Sequence, residues 1–175
     1  MAKKIIYLTT LLLGFLIISQ PTVNGQEKKK VIDRPSKCDV KNIDDFVSKT
    51  FDTYDESQKI SEDLSFIKVE GDGKTVPIKI TNGKGESISK ETALIQFGDL
   101  LVRAKKQNDN IKTLQELQKP AQESLKKCPL TQKPKATKSL SKGGEALNEV
   151  VKQTKEQVEL IEKQIADIKT IKDSK

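Results

Sequence analysis

Residues 145–171, EALNEVVKQTKEQVELIEKQIADIKTI, decide the fold. Leu147, Val151, Thr154, Val158, Ile161, Ile165 and Ile168 recur at alternating steps of four and three, which places them on one helical face through three heptads. Lys152/Glu156, Lys155/Glu159 and Glu159/Lys163 add i,i+4 pairs on the opposite side. With Val151, Val158 and Ile165 at a, the g positions are Val150, Gln157, Gln164 and Ile171. That side carries no charge, whereas a two-stranded coiled coil pairs charges across e and g. The broad apolar stripe suits a helix wedged between two neighbours of its own chain, so the spacing favours a monomeric bundle over a coiled-coil dimer.

Working outward, Leu94, Phe97, Leu101 and Ala104, then Ile111, Leu114, Leu117, Ala121 and Leu125, repeat the same stepping and predict a helix over about 89–127. Ser87 or Ser89 would cap it, Pro120 would kink it, and Cys128-Pro129 would end it. The six polar residues from Lys105 to Asn110 contain no Gly or Pro, so the helix is read as continuous. A split there would give a four-helix bundle. Val40, Ile43, Val47, Phe51 and Tyr54, continued by Ile60 and Leu64, predict a first helix over about 39–64 with Asp39 as N-cap. Between these two helices, Ile67/Val69 and Val76/Ile78/Ile80 alternate around Gly71-Asp72-Gly73, which predicts a hairpin over about 66–81 and a second turn at Asn82–Gly85. Residues 129–144, PLTQKPKATKSLSKGG, have two prolines, two adjacent glycines and four lysines, and read as a basic linker. The expected architecture is a mainly α, up-down-up three-helix bundle with a β-hairpin between helices one and two.

The start of the chain has another character. Lys3 and Lys4 precede a 14-residue apolar run from Ile5 to Ile18, and small residues follow to Gly25. That is the pattern of a signal peptide over 1–25, and the run is too short to span a bilayer. Residues 26–37 read as a flexible tail and 38–175 as one helical domain. The expected localisation is therefore exported, periplasmic or extracellular. In such a compartment Cys38 and Cys128, at the start of the first helix and the end of the second, are expected to form a disulfide stapling the bundle.

Of the 175 residues, 32 are Lys or Arg, 25 are Asp or Glu and none is His. Beyond residue 25 the net charge is +5, because the removed segment holds two lysines and no acid. Lacking histidine, the chain offers no Ser-His-Asp or Cys-His catalysis and no imidazole-bound metal. Two cysteines cannot form a four-thiolate metal site. Gly73-Lys74-Thr75 matches the end of a phosphate-binding loop, but that motif needs a glycine where Lys68 stands. The acids Asp44, Asp45, Asp52, Asp55 and Glu56 read as solvated helix faces. No catalytic residue, cofactor or metal site is expected, and the protein is not expected to be an enzyme. A possible weak polyanion contact is expected at Lys133, Lys135, Lys138 and Lys142, acting by charge alone, because arginine and aromatics are absent around them. The leading functional expectation is a non-enzymatic binding or scaffolding protein whose partner is another protein or an anionic envelope component, with no specific nucleic acid. A holdase-like periplasmic chaperone is the second reading and a membrane-active helical toxin the third.

Overall fold

The computed structural model describes residues 31–71, 73 and 75–171. Residues 1–30, on which the expected signal peptide 1–25 falls, Asp72, Lys74 and residues 172–175 lie outside them. Three helices and a small antiparallel sheet follow one another as α1 (Lys41–Ser65), β1 (Ile67–Glu70), β2 (Lys79–Asn82), α2 (Lys90–Lys126) and α3 (Lys133–Lys169). Each helix packs along the other two, so α3 finds both its partners within the chain. No helix among the described residues is long and apolar enough to cross a membrane.

The helix α2 is unbroken for 37 residues. Its buried positions Ala93, Phe97, Leu100, Ala104, Gln107, Ile111 and Leu114 step by four and three without interruption. Gln107 carries the heptad through the polar gap, because its amide is buried and donates to the Thr53 carbonyl at 3.3 Å. Ser89 caps the helix by accepting from Thr92 N at 3.1 Å. Pro120 lies inside the helix on an exposed face, so its ring is turned away from the core.

The core falls into two apolar clusters with polar residues between. One gathers Ile32, Ile43, Phe46, Phe51, Leu114, Ala136, Leu147 and Val150 at the end where α1 begins. The other gathers Ile60, Phe97, Leu100, Ile161 and Ile168 with Ile80 of the sheet. Thr50, Thr53 and Ser57 of α1, Gln107 of α2, and Gln153, Thr154 and Gln157 of α3 are buried as well. Ser57 Oγ donates to Gln153 Oε1 at 2.8 Å, and Gln157 Nε2 donates to the Ser57 carbonyl at 2.7 Å and to Ser61 Oγ at 2.8 Å. The hydroxyl of Thr154 and the Oε1 of Gln157 are buried without a partner among the described residues.

At 1.5 Å per residue α2 is longer than α1 by about 18 Å. The sheet covers the surplus apolar stripe, with Ile67, Val69, Ile78 and Ile80 all in the second cluster. Its register pairs Ile67 with Asn82 and Val69 with Ile80. The strand β2 starts at Lys79, so Val76 and Pro77 belong to the connection, where a proline without an N–H costs no ladder bond. Asn82 Oδ1 accepts from Lys84 N and Glu86 N, and Gly85 supplies the left-handed φ of 81° for the turn that follows.

Five expectations change. The disulfide is not formed: Cys38 and Cys128 are free thiols, both buried in the first cluster. Both thiols are packed there as small apolar side chains, without a bond between them. Cys128 Sγ instead lies 3.9 Å from Gln132 Oε1, and burial pushes the Cys38 thiol above its ordinary pKa. Asp39 is not the N-cap of α1; it sits at φ 63°, and Asp44 one turn inside accepts from Cys38 N and Asp39 N at 2.8 and 2.9 Å. The tail is pinned rather than loose from Ile32 onward. Ile32 is buried, and Arg34 bridges Asp52 and Asp55 of α1 at 2.7 and 2.9 Å.

The fourth change is the largest. The expected linker is helix from Lys133, giving α3 37 residues. Pro134 occupies the first turn, where a missing N–H leaves no bond unmade and the fixed φ suits the helix. Gly143 is buried at the crossing with α1: a Cβ there would stand 2.8 Å from Phe46 Cε1. The glycine permits close approach of two helices, a requirement that no local pattern reveals. The buried face of α3 is also rotated from the expected one. Val150, Gln157 and Ile161 lie at its centre, while Val151 is 40% exposed and Ile165 only half-buried. Contact with two neighbours moves the centre of the stripe towards the g side.

Candidate anion-binding groove

Because α3 starts early, the lysines of the supposed linker acquire fixed spacing. Lys135, Lys138 and Lys142 are three and four residues apart, on one flank of the buried stripe, and span about 10 Å of helix axis. They form one wall of a groove of 350 Å³. The other wall is the extended segment Asp33, Arg34, Pro35 and Ser36. Ser139, also in the lining, donates to the Ser36 carbonyl at 3.3 Å and ties the walls together. Lys133, the fourth lysine expected here, does not line the groove; it is the exposed first residue of α3.

Charge in the groove is unevenly committed. Arg34 is held by Asp52 and Asp55 and stacks 5.6 Å from the Phe51 ring centre. Its hydrogen bond to Asp52 raises its already high pKa, so it is a permanent but neutralised cation. Lys135 lies 3.8 Å from Asp39, a loose pair, and Lys142 lies 3.1 Å from Glu145. Lys138 has no ion-pair partner among the described residues. Asp33 is the one acid of the lining. No acid occurs in residues 124–144, so the α2–α3 corner beside the groove is basic throughout.

A second groove of 490 Å³ lies between the sheet and α2, with Phe66, Ile67 and Leu100 among its lining. Of its lining charges Arg103 and Asp63 are paired, while Lys84 and Asp99 have no ion-pair partner among the described residues. Arg103 Nε meets Glu56 Oε1 at 2.9 Å and its Nη1 meets Asp63 Oδ2 at 2.6 Å, fastening α2 to α1. The hydrogen bond that Arg103 donates to Asp63 raises the arginine's pKa further. The chain's two arginines, Arg34 and Arg103, thus both serve as two-carboxylate clamps.

Among the described residues no cluster of three or more Cys, Asp or Glu could hold a metal ion. The acids of α1 that read as solvated faces have structural partners: Asp44 with Cys38 N and Asp39 N, Asp45 with Lys41, Asp52 and Asp55 with Arg34, and Glu56 with Arg103. The sequence signalled three of the groove's four cations through the lysine run. It missed the facing wall, whose trace was an arginine, rare in this chain, in a segment read as tail. Compared with family models, curated proteins and solved structures, the chain matches none.

Proposed function

We propose that the protein is a non-enzymatic, exported helical binding protein that engages an anionic partner through the groove between residues 33–36 and the first turns of α3. The observation that carries this reading is the wall of Lys135, Lys138 and Lys142, held at fixed spacing by a helix and opposed by one lining acid. Exposed ammonium groups attract anions at long range and hold them loosely, so the expected binding is salt-sensitive. Export rests on the segment 1–25, and would place the groove among anionic envelope components. The test is a salt titration of anion binding beside the variant Lys135→Gln/Lys138→Gln/Lys142→Gln. Binding that persists unchanged in the variant rejects the groove.

A holdase-like action is the second reading, favoured by the exposure of Phe66, Ile95 and Val102 at 61, 65 and 70%. Suppression of client aggregation that is lost in Phe66→Ser and kept in the lysine variant would select it over the first.

A further inference from the structure

We infer that the free edge of β1 joins the same edge of a second copy of this chain, antiparallel about Val69, to make a four-stranded sheet. The ladder within the hairpin decides which backbone groups are free. The Ile80 carbonyl accepts from Ile88 N at 3.1 Å, and Asn82 N donates to the Glu86 carbonyl at 2.9 Å. Both residues thus turn their backbone away from β1. Alternation leaves Lys79 and Thr81 turned towards it, where they face Glu70 and Lys68. Lys68 and Glu70 therefore spend their backbone groups inside the hairpin. Ile67 and Val69 turn theirs outward, and among the described residues nothing bonds to them there. An edge of this kind is a template for a further strand.

The side chains select which strand fits. Ile67 and Val69 pack against the second apolar cluster, while Lys68 and Glu70 are exposed on the other face. Antiparallel pairing about a twofold axis at Val69 keeps the apolar faces of both copies on one side of the sheet. It sets Lys68 of each copy opposite Glu70 of the other, and lets the two Val69 residues exchange N–H and C=O bonds. Sliding the register by two residues sets Lys68 against Lys68 or Glu70 against Glu70, and like charges directly opposite are destabilising. Sliding it by one turns apolar side chains to the charged face. The strand is therefore its own complement in a single register. The pairing leaves the α3 stripe to its two neighbours within the chain.

Four residues a side place this contact at the weak end of protein interfaces, so dimer should accumulate at about 0.1–1 mM protein in low salt. Sedimentation equilibrium of the purified protein measures it. Lys68→Glu and Glu70→Lys should each weaken dimerisation about tenfold, since the twofold axis counts every like-charge pair twice. The double variant Lys68→Glu/Glu70→Lys should restore it to within about threefold, because the opposite charges face each other again. Val69→Pro should abolish the dimer and keep the hairpin, because the lost N–H belongs to the free edge and not to the β1–β2 ladder. A monomer throughout that concentration range overturns the inference. A dimer that persists in Val69→Pro belongs to another surface and overturns it as well. A double variant that associates no better than the single ones overturns the pairing about Val69.

Discussion

The adjacent glycines 143 and 144 should respond to the same substitution with opposite sign. Both are helical in α3, so replacing either by alanine recovers about 0.5–1 kcal/mol of backbone propensity. At Gly144 the added methyl meets nothing within 4 Å, and Gly144→Ala should therefore stabilise by about that amount. At Gly143 it would lie 2.8 Å from Phe46 Cε1, 3.1 Å from Val47 Cγ2 and 3.3 Å from Phe46 Cδ1. Favourable carbon–carbon contact begins at about 3.5 Å, and Phe46 is fully buried. Overpacking of this kind costs about 1–3 kcal/mol, so Gly143→Ala should destabilise by up to about 2 kcal/mol after the propensity gain. Urea unfolding followed by far-ultraviolet circular dichroism measures both, provided the transition is two-state with an unchanged m-value. Combining Gly143→Ala with Phe46→Leu should recover part of the loss, because the clash is with the ring edge. Equal stabilisation by the two alanines would refute the close α1–α3 crossing. Equal destabilisation would mean that residues 143–144 are not helical at all.

Other parts of the fold make separate predictions. Thr154→Val, which removes a buried hydroxyl without a partner among the described residues, should stabilise by about 1 kcal/mol, whereas Gln157→Leu should destabilise by removing the hydrogen bonds that its amide donates to the Ser57 carbonyl and Ser61 Oγ; a lower melting temperature for Thr154→Val would reveal a hidden partner. Intact mass after unfolding in alkylating reagent without reductant should show two modified cysteines, and an unmodified mass lighter by two hydrogens would restore the disulfide. The raised pKa of Cys38 means that burial favours the neutral thiol, so this residue's contribution is intact below the ordinary thiol pKa of about 8.5 and fades as pH rises through the folded value. Cys38→Ala should flatten that alkaline decline in a denaturation series, and an identical slope in both proteins would assign the decline elsewhere. Arg103→Lys should cost about 1 kcal/mol, because a single ammonium cannot reproduce the two-carboxylate fork; a neutral result would show that its partly exposed pairs contribute nothing.

The sequence by itself determined the helical period of all three helices, the place of the hairpin and the continuity of α2. Those follow from local geometry: 3.6 residues per turn and the two-residue alternation of a strand are properties of the backbone, written wherever apolar residues recur. Even there it found the period more surely than the phase. The pattern puts Ile161 and Ile165 at the buried centre of α3; Ile161 is fully buried, but Ile165 is only half-buried and Val150 and Gln157 lie deeper, because the second neighbour of a helix is chosen elsewhere in the chain. Gln107 and Gln157 were invisible as core residues, since a polar side chain enters a core only where a partner such as the Thr53 or Ser57 carbonyl awaits it. Only the tertiary structure decided that Gly143 is a contact surface for Phe46, that Pro134 starts a helix, that Arg34 closes on Asp52 and Asp55, and that three lysines share one groove. Each of these depends on the distance between segments far apart along the chain, a quantity set by how the helices pack and carried by no local run of residues.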